Sequence, residues 1–306
     1  MEYKKISVLI VTYRQADVIG RNIESIIKQR EYGLHEIIIC DDCSPDNNWD
    51  VIQSYVKKYP DLIRAYRNNP NLGIYGNSDK CASLHGDADL YCWLEGDDAL
   101  CEGFFKSIQQ AILDQNIDTN QAVAIQANYK TIYPNGNETI FVNDYLSKHA
   151  CDPISAKLRG LITWRASVFS SKVIQNFKPT ILNRGLALAE ELFDIQWFVY
   201  SKYFYYVNVP GSIYYAQIGV SVSLAGEEKD KWNQETNYKW DYIANHLLSN
   251  QKDIYYSKSQ MYLAELHLNK SFFTFLKYLF YFMLGNIGYP IQIKPVLANI
   301  KLIRKI

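Results

Sequence analysis

The first hundred residues alternate four times between short apolar runs and amphipathic stretches. The runs are Ile6–Val11, Glu36–Cys40, Leu62–Tyr66 and Leu90–Leu94. Apolar, β-branched runs of this length are typical of strands buried on both faces of a sheet. Because helical patterns separate them, the sequence predicts an α/β fold with a doubly wound, mostly parallel sheet.

Polar clusters follow three of these runs directly. They are Thr12–Arg14, Asp41–Asp46 and Glu95–Asp98. In doubly wound sheets, ligands bind at the carboxyl ends of the strands. We therefore expect the three clusters to meet in one crevice.

The pattern changes after residue 100. Strands are predicted over 122–132 and 138–142, on either side of the turn Pro134–Gly136. This hairpin predicts a small second sheet, and the residues after it predict a helix over 185–203 and strands over 205–209 and 212–216. We expect a first domain over 1–222 and a helical region over 223–306.

The cluster Glu95–Asp98 offers two carboxylates, Asp97 and Asp98, next to a glycine that allows close backbone approach. Mg²⁺ and Mn²⁺ prefer such hard oxygen ligands and neutralise the charge of a diphosphate leaving group. A plainer interpretation is an acidic loop that caps a helix beginning at Cys101 or Glu102.

The cluster Asp41–Asp46 also has two interpretations. Ser44 and Pro45 suit the start of a helix. The preceding Asp41 and Asp42 suit a nucleotide, since a carboxylate can accept hydrogen bonds from a uracil N–H or from ribose hydroxyl groups.

These residues resemble inverting glycosyltransferase family 2, which has the GT-A fold, over about residues 5–220. The resemblance lies in four segments, Val8–Tyr13, Cys40–Asp46, Asn71–Gly73 followed by Asn77, and Trp93–Asp98. It implies a donor site for a nucleotide sugar, built from Thr12, Tyr13, Arg14, Asp41, Asp42, Asn71, Gly73, Asn77, Glu95, Gly96 and Asp97. It also implies that Asp97 and Asp98 bind Mn²⁺ or Mg²⁺, with Asp97 as the main ligand.

The family places its catalytic base in a later acidic pair. Glu190 and Glu191 match that pair, where Glu-Asp is more usual. Glu191 takes the position of the base, with Glu190 as the alternative. Arg165 lies in the acceptor-facing region and suits either a phosphate contact or a surface salt bridge.

Three departures from the family keep a non-catalytic binding protein of the same fold open. Glu95 replaces the first Asp of the metal motif, Glu191 replaces the Asp of the later acidic pair, and Gln217 replaces a His. Arg14 also stands where Asn is more usual, in the first of the four segments. A sugar nucleotidyltransferase is the other alternative. That class needs a glycine-rich loop after the first strand, where this chain has Thr12–Gln15.

The C-terminal tail is apolar and basic. No acidic residue follows Glu265, and six basic ones do. Apolar residues over 272–284 and 296–303 predict two interfacial helices that bind anionic lipid. We therefore expect a cytoplasmic enzyme docked on the inner leaflet of the membrane, with a glycan acceptor that is lipid-linked. Packing of the tail on the domain or on another subunit is the alternative.

Composition adds three expectations. The 32 basic and 32 acidic residues balance, which disfavours a nucleic-acid partner. The polar start Met1–Lys5 predicts no secretory signal. The six cysteines have no second CxxC or paired histidines beside Cys40 and Cys43, so they predict reduced thiols rather than a zinc site.

Overall fold

The computed structural model describes residues 3–142, 152–177, 190–216, 236, 238–269 and 271–289, without the side chains of 190–192 and 269. The chain forms two compact units. The first is Met1–Gly185 with Phe193–Val222, and the second is Leu186–Leu192 with Ser223–Ile306.

The first unit is built on one nine-stranded sheet. Its strands are β1 Ile6–Thr12, β2 Leu34–Asp41, β3 Ile63–Arg67, β4 Leu90–Glu95, β5 Ala99–Leu100, β6 Val123–Ile132, β7 Glu138–Phe141, β8 Ser167–Ser170 and β9 Tyr203–Tyr215. Their order is β3-β2-β1-β4-β8-β6-β9-β5, and β7 pairs with β6. The first four strands run parallel, as the apolar runs predict.

The helices of this unit follow the predicted alternation. They are α1 Ile19–Ile27, α2 Asn48–Lys58, α3 Gly73–Ser83, α4 Phe104–Asp114, α5 Pro153–Leu158, α6 Ser171–Ile174 and α7 Glu190–Val199, of which Phe193–Val199 belongs to this unit, with a 3-10 turn at Arg30–Tyr32. A large hydrophobic core joins the sheet to helices α1, α2 and α4, and Ile10, Ile23, Ile39 and Phe104 in it are fully buried.

Strand β8 runs antiparallel to both of its neighbours, β4 and β6. It therefore joins the β6–β7 hairpin, which we predicted to lie in a small second sheet, to the main sheet. The two strands predicted over 205–209 and 212–216 are likewise one strand, β9. Its pairing with β6 shifts register near Pro210, which lacks an N–H group, so the strand bulges there instead of ending.

Several helix starts differ from the prediction. Helix α3 begins at Gly73, and α4 begins at Phe104 rather than at Cys101 or Glu102, after a left-handed Gly103. The described part of the helix predicted over 185–203 is α7, and β9 already begins at Tyr203. Helix starts depend on hydrogen bonds to distant residues, which the local sequence does not contain.

The described part of the second unit is helical. It has a π-helical turn at Ile243–Leu247 and two helices, α8 Gln251–Asn269 and α9 Phe272–Gly285. The two helices enclose a small core of Leu266, Phe275 and Tyr278. A Cβ atom at Gly285 would lie 2.5 Å from the backbone nitrogen of Tyr256, so the glycine permits their close contact. The predicted helix over 296–303 lies outside the described residues.

Candidate active site

The carboxyl ends of β1, β2 and β4 lie side by side. Thr12 pairs with Asp41 across β1 and β2, and Val11 pairs with Glu95 across β1 and β4. The three polar clusters therefore meet at one edge of the sheet, as the sequence predicts.

Asp41 connects the end of β2 to helix α2. Its carboxylate is fully buried and accepts hydrogen bonds from the Ser44 backbone N–H at 3.1 Å and from the Asn48 side-chain amide at 2.7 Å. The Arg67 guanidinium lies 3.4 Å from the same carboxylate. Asn48 also donates to the Thr12 hydroxyl at 3.1 Å. Both oxygens of Asp41 thus accept from protein groups and fix the shape of the loop.

Asp42 is engaged differently. Its Oδ1 atom accepts from the Asn68 side-chain amide at 2.9 Å and from the Leu72 backbone N–H at 2.8 Å. Among the described residues, both of these bonds go to one oxygen, so Oδ2 is the atom that can accept from a donor group outside the protein. Of the two aspartates, Asp42 is therefore the better placed to accept an N–H or O–H of a nucleotide.

The predicted loop residues Asn71, Gly73 and Asn77 fasten the following segment to β2. The Asn71 side-chain amide donates to the Asp42 carbonyl at 2.6 Å, and its Oδ1 accepts from the Gly73 N–H at 2.9 Å. Asn77 donates to the Cys40 carbonyl at 3.0 Å. Gly73 has a φ of 74°, which favours glycine at this position.

Tyr13 and Arg14 extend from the end of β1. Arg14 has a φ of 57°, and its backbone N–H donates to the Ser44 hydroxyl at 3.1 Å. Its guanidinium carbon lies 5.0 Å from the centre of the Tyr13 ring. Helix α2 begins only at Asn48, so the prediction that Ser44 and Pro45 start it is wrong, because the Ser44 hydroxyl accepts from the Arg14 N–H just after β1 instead.

The motif Glu95–Asp98 forms a tight turn at the end of β4. The Gly96 N–H donates to the Val11 carbonyl at 3.0 Å, and the Asp98 N–H donates to the Glu95 carbonyl at 3.1 Å. A Cβ atom at Gly96 would lie 2.3 Å from the Gln15 amide oxygen and 2.9 Å from Thr12. Only glycine fits here. The capping interpretation of this motif is wrong, since strand β5 and Gly103 separate it from helix α4.

Two residues of helix α1 hold the backbone of this turn. The buried Asn22 amide donates to the Glu95 carbonyl at 2.7 Å and to the Asp98 carbonyl at 3.0 Å. Arg21 donates to the Asp97 carbonyl at 2.8 Å. Sequence reasoning missed both residues. The signal in the sequence is that Asn22, a polar residue, lies on the buried face of the amphipathic helix α1, whereas Arg21 lies off that face and gives no such signal.

Arg165 reaches the side chains of the same turn. Its Nη1 contacts Asp98 Oδ2, and its Nη2 lies 3.5 Å from Glu95 Oε2. The Asp98 side chain is 2% exposed, so this is a buried ion pair rather than a surface salt bridge. Burial raises the pKa of the Asp98 carboxyl to about 7. The Arg165 guanidinium opposes that rise, and the Asp97 carboxylate adds to it.

The carboxylates of the turn suit a divalent cation that arrives with its substrate. Among the described residues, no three His, Cys, Asp or Glu side chains lie close enough to form a metal site by themselves. Mg²⁺ in nucleotide-dependent enzymes is usually held by one or two carboxylates together with phosphate oxygens. Asp97 and Asp98 provide that number, and Gly96 lets a ligand approach the backbone.

The predicted bases lie in the first turn of α7, which begins at Glu190. The side chains of Glu190 and Glu191 lie outside the described residues, as does Gln217. Further along α7, the ring centres of Phe193 and Trp197 lie 4.6 Å and 6.0 Å from that of Trp93 on β4.

A family model described as glycosyl transferase family 2 matches residues 7–164, which is more than half of the chain. The chain belongs to glycosyl transferase family 2. The resemblance found in the sequence is confirmed. The matched range of this family 2 chain includes all three clusters at the sheet edge and ends one residue before Arg165.

Several curated relatives carry glycosyltransferase names, while others are named uncharacterized proteins. The Escherichia coli UDP-Glc:alpha-D-GlcNAc-diphosphoundecaprenol beta-1,3-glucosyltransferase WfaP is 34% identical over 93 residues, or 30% of this chain and 35% of WfaP. The dTDP-rhamnosyl transferase RfbG of Shigella flexneri is 24% identical over 236 residues, or 72% of this chain and 77% of RfbG. This family 2 chain spans about a third of the length of the first curated relatives it matches.

Solved structures share the fold of this family 2 chain. S. aureus TarS in complex with UDP-GlcNAc has a TM-score of 0.62 at 14% identity, covering 90% of this chain and 79% of TarS. The mannosyltransferase PcManGT from Pyrobaculum calidifontis, in complex with GDP-Man and Mn²⁺, has a TM-score of 0.52 at 9% identity, covering 100% and 82%. The predicted GT-A fold is confirmed.

Proposed function

We propose that this family 2 glycosyltransferase is a metal-dependent, inverting enzyme that moves a sugar from a UDP-sugar to a hydroxyl group of a lipid-linked glycan. The observation that carries the proposal is the meeting of Thr12, Asp42 and the turn Glu95–Asp98 at the carboxyl edge of three parallel strands. One end of this edge suits a nucleoside and the other suits a diphosphate with its cation.

The nucleoside half of the proposed site rests on Asp42 and the loop bonded to it. Asp42 Oδ2 accepts the uracil N–H or a ribose hydroxyl, while the bonds to Oδ1 hold the carboxylate in place. Asp41 acts indirectly through the loop that it fixes. Tyr13 and Arg14 line the end of β1 next to this loop.

The diphosphate half rests on the acidic turn. Asp97, with Asp98 as the second carboxylate, would hold the divalent cation. When bound, the cation neutralises the charge that develops on the leaving diphosphate. Asn22 and Arg21 keep the backbone of the turn fixed, so the carboxylates need no rearrangement during the reaction.

The proposed acceptor site rests on Glu191, which takes the position of the base in the family's acidic pair, with Glu190 as the alternative. An inverting transfer needs one carboxylate to take the proton of the acceptor hydroxyl as that oxygen attacks the sugar carbon. The curated relative WfaP is named for a diphosphoundecaprenol-linked acceptor, which supports a lipid-linked glycan here as well.

Donor hydrolysis tests the proposed reaction. The purified protein is incubated with Mn²⁺ and a panel of UDP-, GDP- and dTDP-sugars, and release of the nucleoside diphosphate is measured without acceptor. We expect slow hydrolysis of one UDP-sugar, which chelation by EDTA abolishes and added Mn²⁺ restores. Tight UDP binding without hydrolysis of any sugar would support the non-catalytic binding protein instead. Release of pyrophosphate from UTP and a sugar phosphate would support the nucleotidyltransferase.

We also propose that helix α9 docks the enzyme on the inner leaflet of the cytoplasmic membrane. No described helix is long and apolar enough to cross a bilayer. Yet one side of α9 exposes apolar side chains that recur every third or fourth residue. These are Phe272, Phe273, Leu276, Phe280 and Met283, and Ile287 continues the series just after the helix. The opposite side of α9 packs on α8.

Charge favours a lipid surface as the partner of this apolar face. The chain has six basic and no acidic residues after Glu265. Apolar burial at the headgroup level and attraction to anionic lipid strengthen each other in interfacial helices.

The double substitution Phe280→Glu with Met283→Glu tests this membrane contact. We expect its sedimentation with phosphatidylglycerol vesicles to fall at least about fivefold, because two carboxylates would enter the lipid interface. Leu113→Glu is the matched control, since Leu113 is an exposed apolar residue of α4. Unchanged sedimentation of the double variant would refute the contact. A dimer that the double substitution converts to a monomer, with unchanged lipid binding, would assign the face to a second copy.

A further inference from the structure

A short turn before β8 presents Arg165 to the acidic motif. The turn is fixed from several sides. The Gln126 side-chain amide donates to the Thr163 carbonyl, and the Ser167 hydroxyl donates to the same carbonyl at 3.0 Å. The Ala166 carbonyl accepts from the Ala127 N–H at 2.8 Å. These hydrogen bonds fix the backbone on both sides of Arg165.

The same turn contains an unfavourable backbone conformation. Ala166 has a φ of 52°, a left-handed value that an alanine rarely adopts. Such conformations persist where surrounding contacts impose them, and they concentrate at functional sites. Here the consequence of the strained residue is the placement of its neighbour, Arg165.

Two aromatic rings hold the guanidinium. The guanidinium carbon of Arg165 lies 4.7 Å from the ring centre of Trp164 and 4.2 Å from that of Tyr214. Cations are attracted to the faces of aromatic rings, most strongly when water is excluded. These rings and the two carboxylates Glu95 and Asp98 keep the charge of Arg165 inside the motif.

This arrangement creates a competition. Glu95 and Asp98 are two of the three carboxylates of the proposed metal motif, and both contact Arg165. A divalent cation that enters the motif meets a positive charge already placed there. A nucleoside diphosphate removes the conflict, because its phosphate oxygens offer the guanidinium another anion of matching geometry.

We propose that Arg165 is the resident cation of the acidic motif in the donor-free protein, and that a divalent cation replaces it there when a nucleoside diphosphate binds. Arg165 is thus a positioning residue that couples metal binding to nucleotide binding. The inference rests on the proposed function, since it requires the motif to bind metal and nucleotide. The coupling is reciprocal, so the metal raises nucleotide affinity by the same factor.

Calorimetric titration of MnCl₂ into the donor-free protein tests the inference. Arg165→Gln removes the charge, and we expect it to bind Mn²⁺ alone about tenfold more tightly than the wild type, since a like charge no longer opposes the metal. Arg165→Lys keeps a charge but cannot contact both carboxylates through two nitrogen atoms. Its Mn²⁺ affinity should lie between those of the wild type and Arg165→Gln. Saturating UDP should increase the Mn²⁺ affinity of the wild type more than that of Arg165→Gln.

The control is Arg64→Gln, which breaks an arginine–carboxylate pair elsewhere, where Arg64 Nε lies 2.7 Å from Glu36 Oε2. It should bind Mn²⁺ like the wild type. Unchanged or weaker Mn²⁺ binding in folded Arg165→Gln, or in Arg165→Lys if the glutamine variant does not fold, would overturn the proposal. A wild-type protein that fails to bind UDP would refute the proposed function instead, and the titrations with Mn²⁺ alone would still decide the role of Arg165.

Discussion

Replacing Asp97 with asparagine is expected to lower the rate of sugar transfer by about a thousandfold or more. The substitution keeps the size of the side chain and removes its charge. Without that charge the metal is lost or displaced, and the leaving diphosphate develops its negative charge without a counterion. Mn²⁺-dependent binding of UDP should weaken in parallel.

The measurement is the initial rate of UDP release over a range of Mn²⁺ concentrations. Asp114→Asn is the matched control, because Asp114 is an exposed aspartate at the end of α4 that bonds only locally, to the Gln110 side-chain amide at 2.7 Å. It should leave the rate unchanged. If Asp97→Asn keeps more than about a tenth of the wild-type rate at low Mn²⁺, Asp97 is not the main metal ligand.

Replacing Glu191 with glutamine is expected to lower the transfer rate by about a hundredfold to ten-thousandfold, which is the usual contribution of a general base. UDP and Mn²⁺ should bind as before, because the base acts on the acceptor and not on the leaving group. The variant therefore separates loss of catalysis from loss of donor binding, which Asp97→Asn does not.

Glu190→Gln is the natural partner experiment. An inverting transfer needs one carboxylate as its general base, so only one of the two glutamates is expected to be essential. We expect Glu190→Gln to retain most of the activity. If Glu190→Gln loses activity and Glu191→Gln retains it, Glu190 is the base. Normal transfer rates in both variants would contradict a base in this pair.

The first half of the fold could be predicted because its signals are local. Each parallel strand is a continuous apolar run, and the clusters of polar residues follow three of the strands directly. The rule that such residues gather at the carboxyl edge then brings Thr12, Asp41 and Glu95 together without any knowledge of side-chain contacts. The pairing of β1 with β2 and β4 confirms that these three residues lie at one edge of the sheet.

The parts of the site that were missed depend on contacts between distant residues. Asn22 looks like an ordinary polar position of α1, and its bonds to the carbonyls of Glu95 and Asp98 cannot be seen in the sequence. For Arg165, the sequence predicted either a phosphate contact or a surface salt bridge. Its partners are fixed by the pairing of β4 with β8, which no local pattern indicates. Likewise, the sequence does not show that Asp42 accepts from Asn68 and Leu72, whereas Asp41 accepts from Ser44 and Asn48.

The reversed direction of β8 bears on how related chains should be compared. In an all-parallel sheet, residues at the carboxyl edge lie downstream of their strand. Because β8 runs antiparallel to β4, the residues just upstream of it reach that edge instead. An equivalent of Arg165 should therefore be sought by counting backwards from the reversed strand, not forwards from the acidic motif. An insertion in the loop of the β6–β7 hairpin would change the number of residues between the acidic motif and Arg165. It would not change the number of residues between Arg165 and β8.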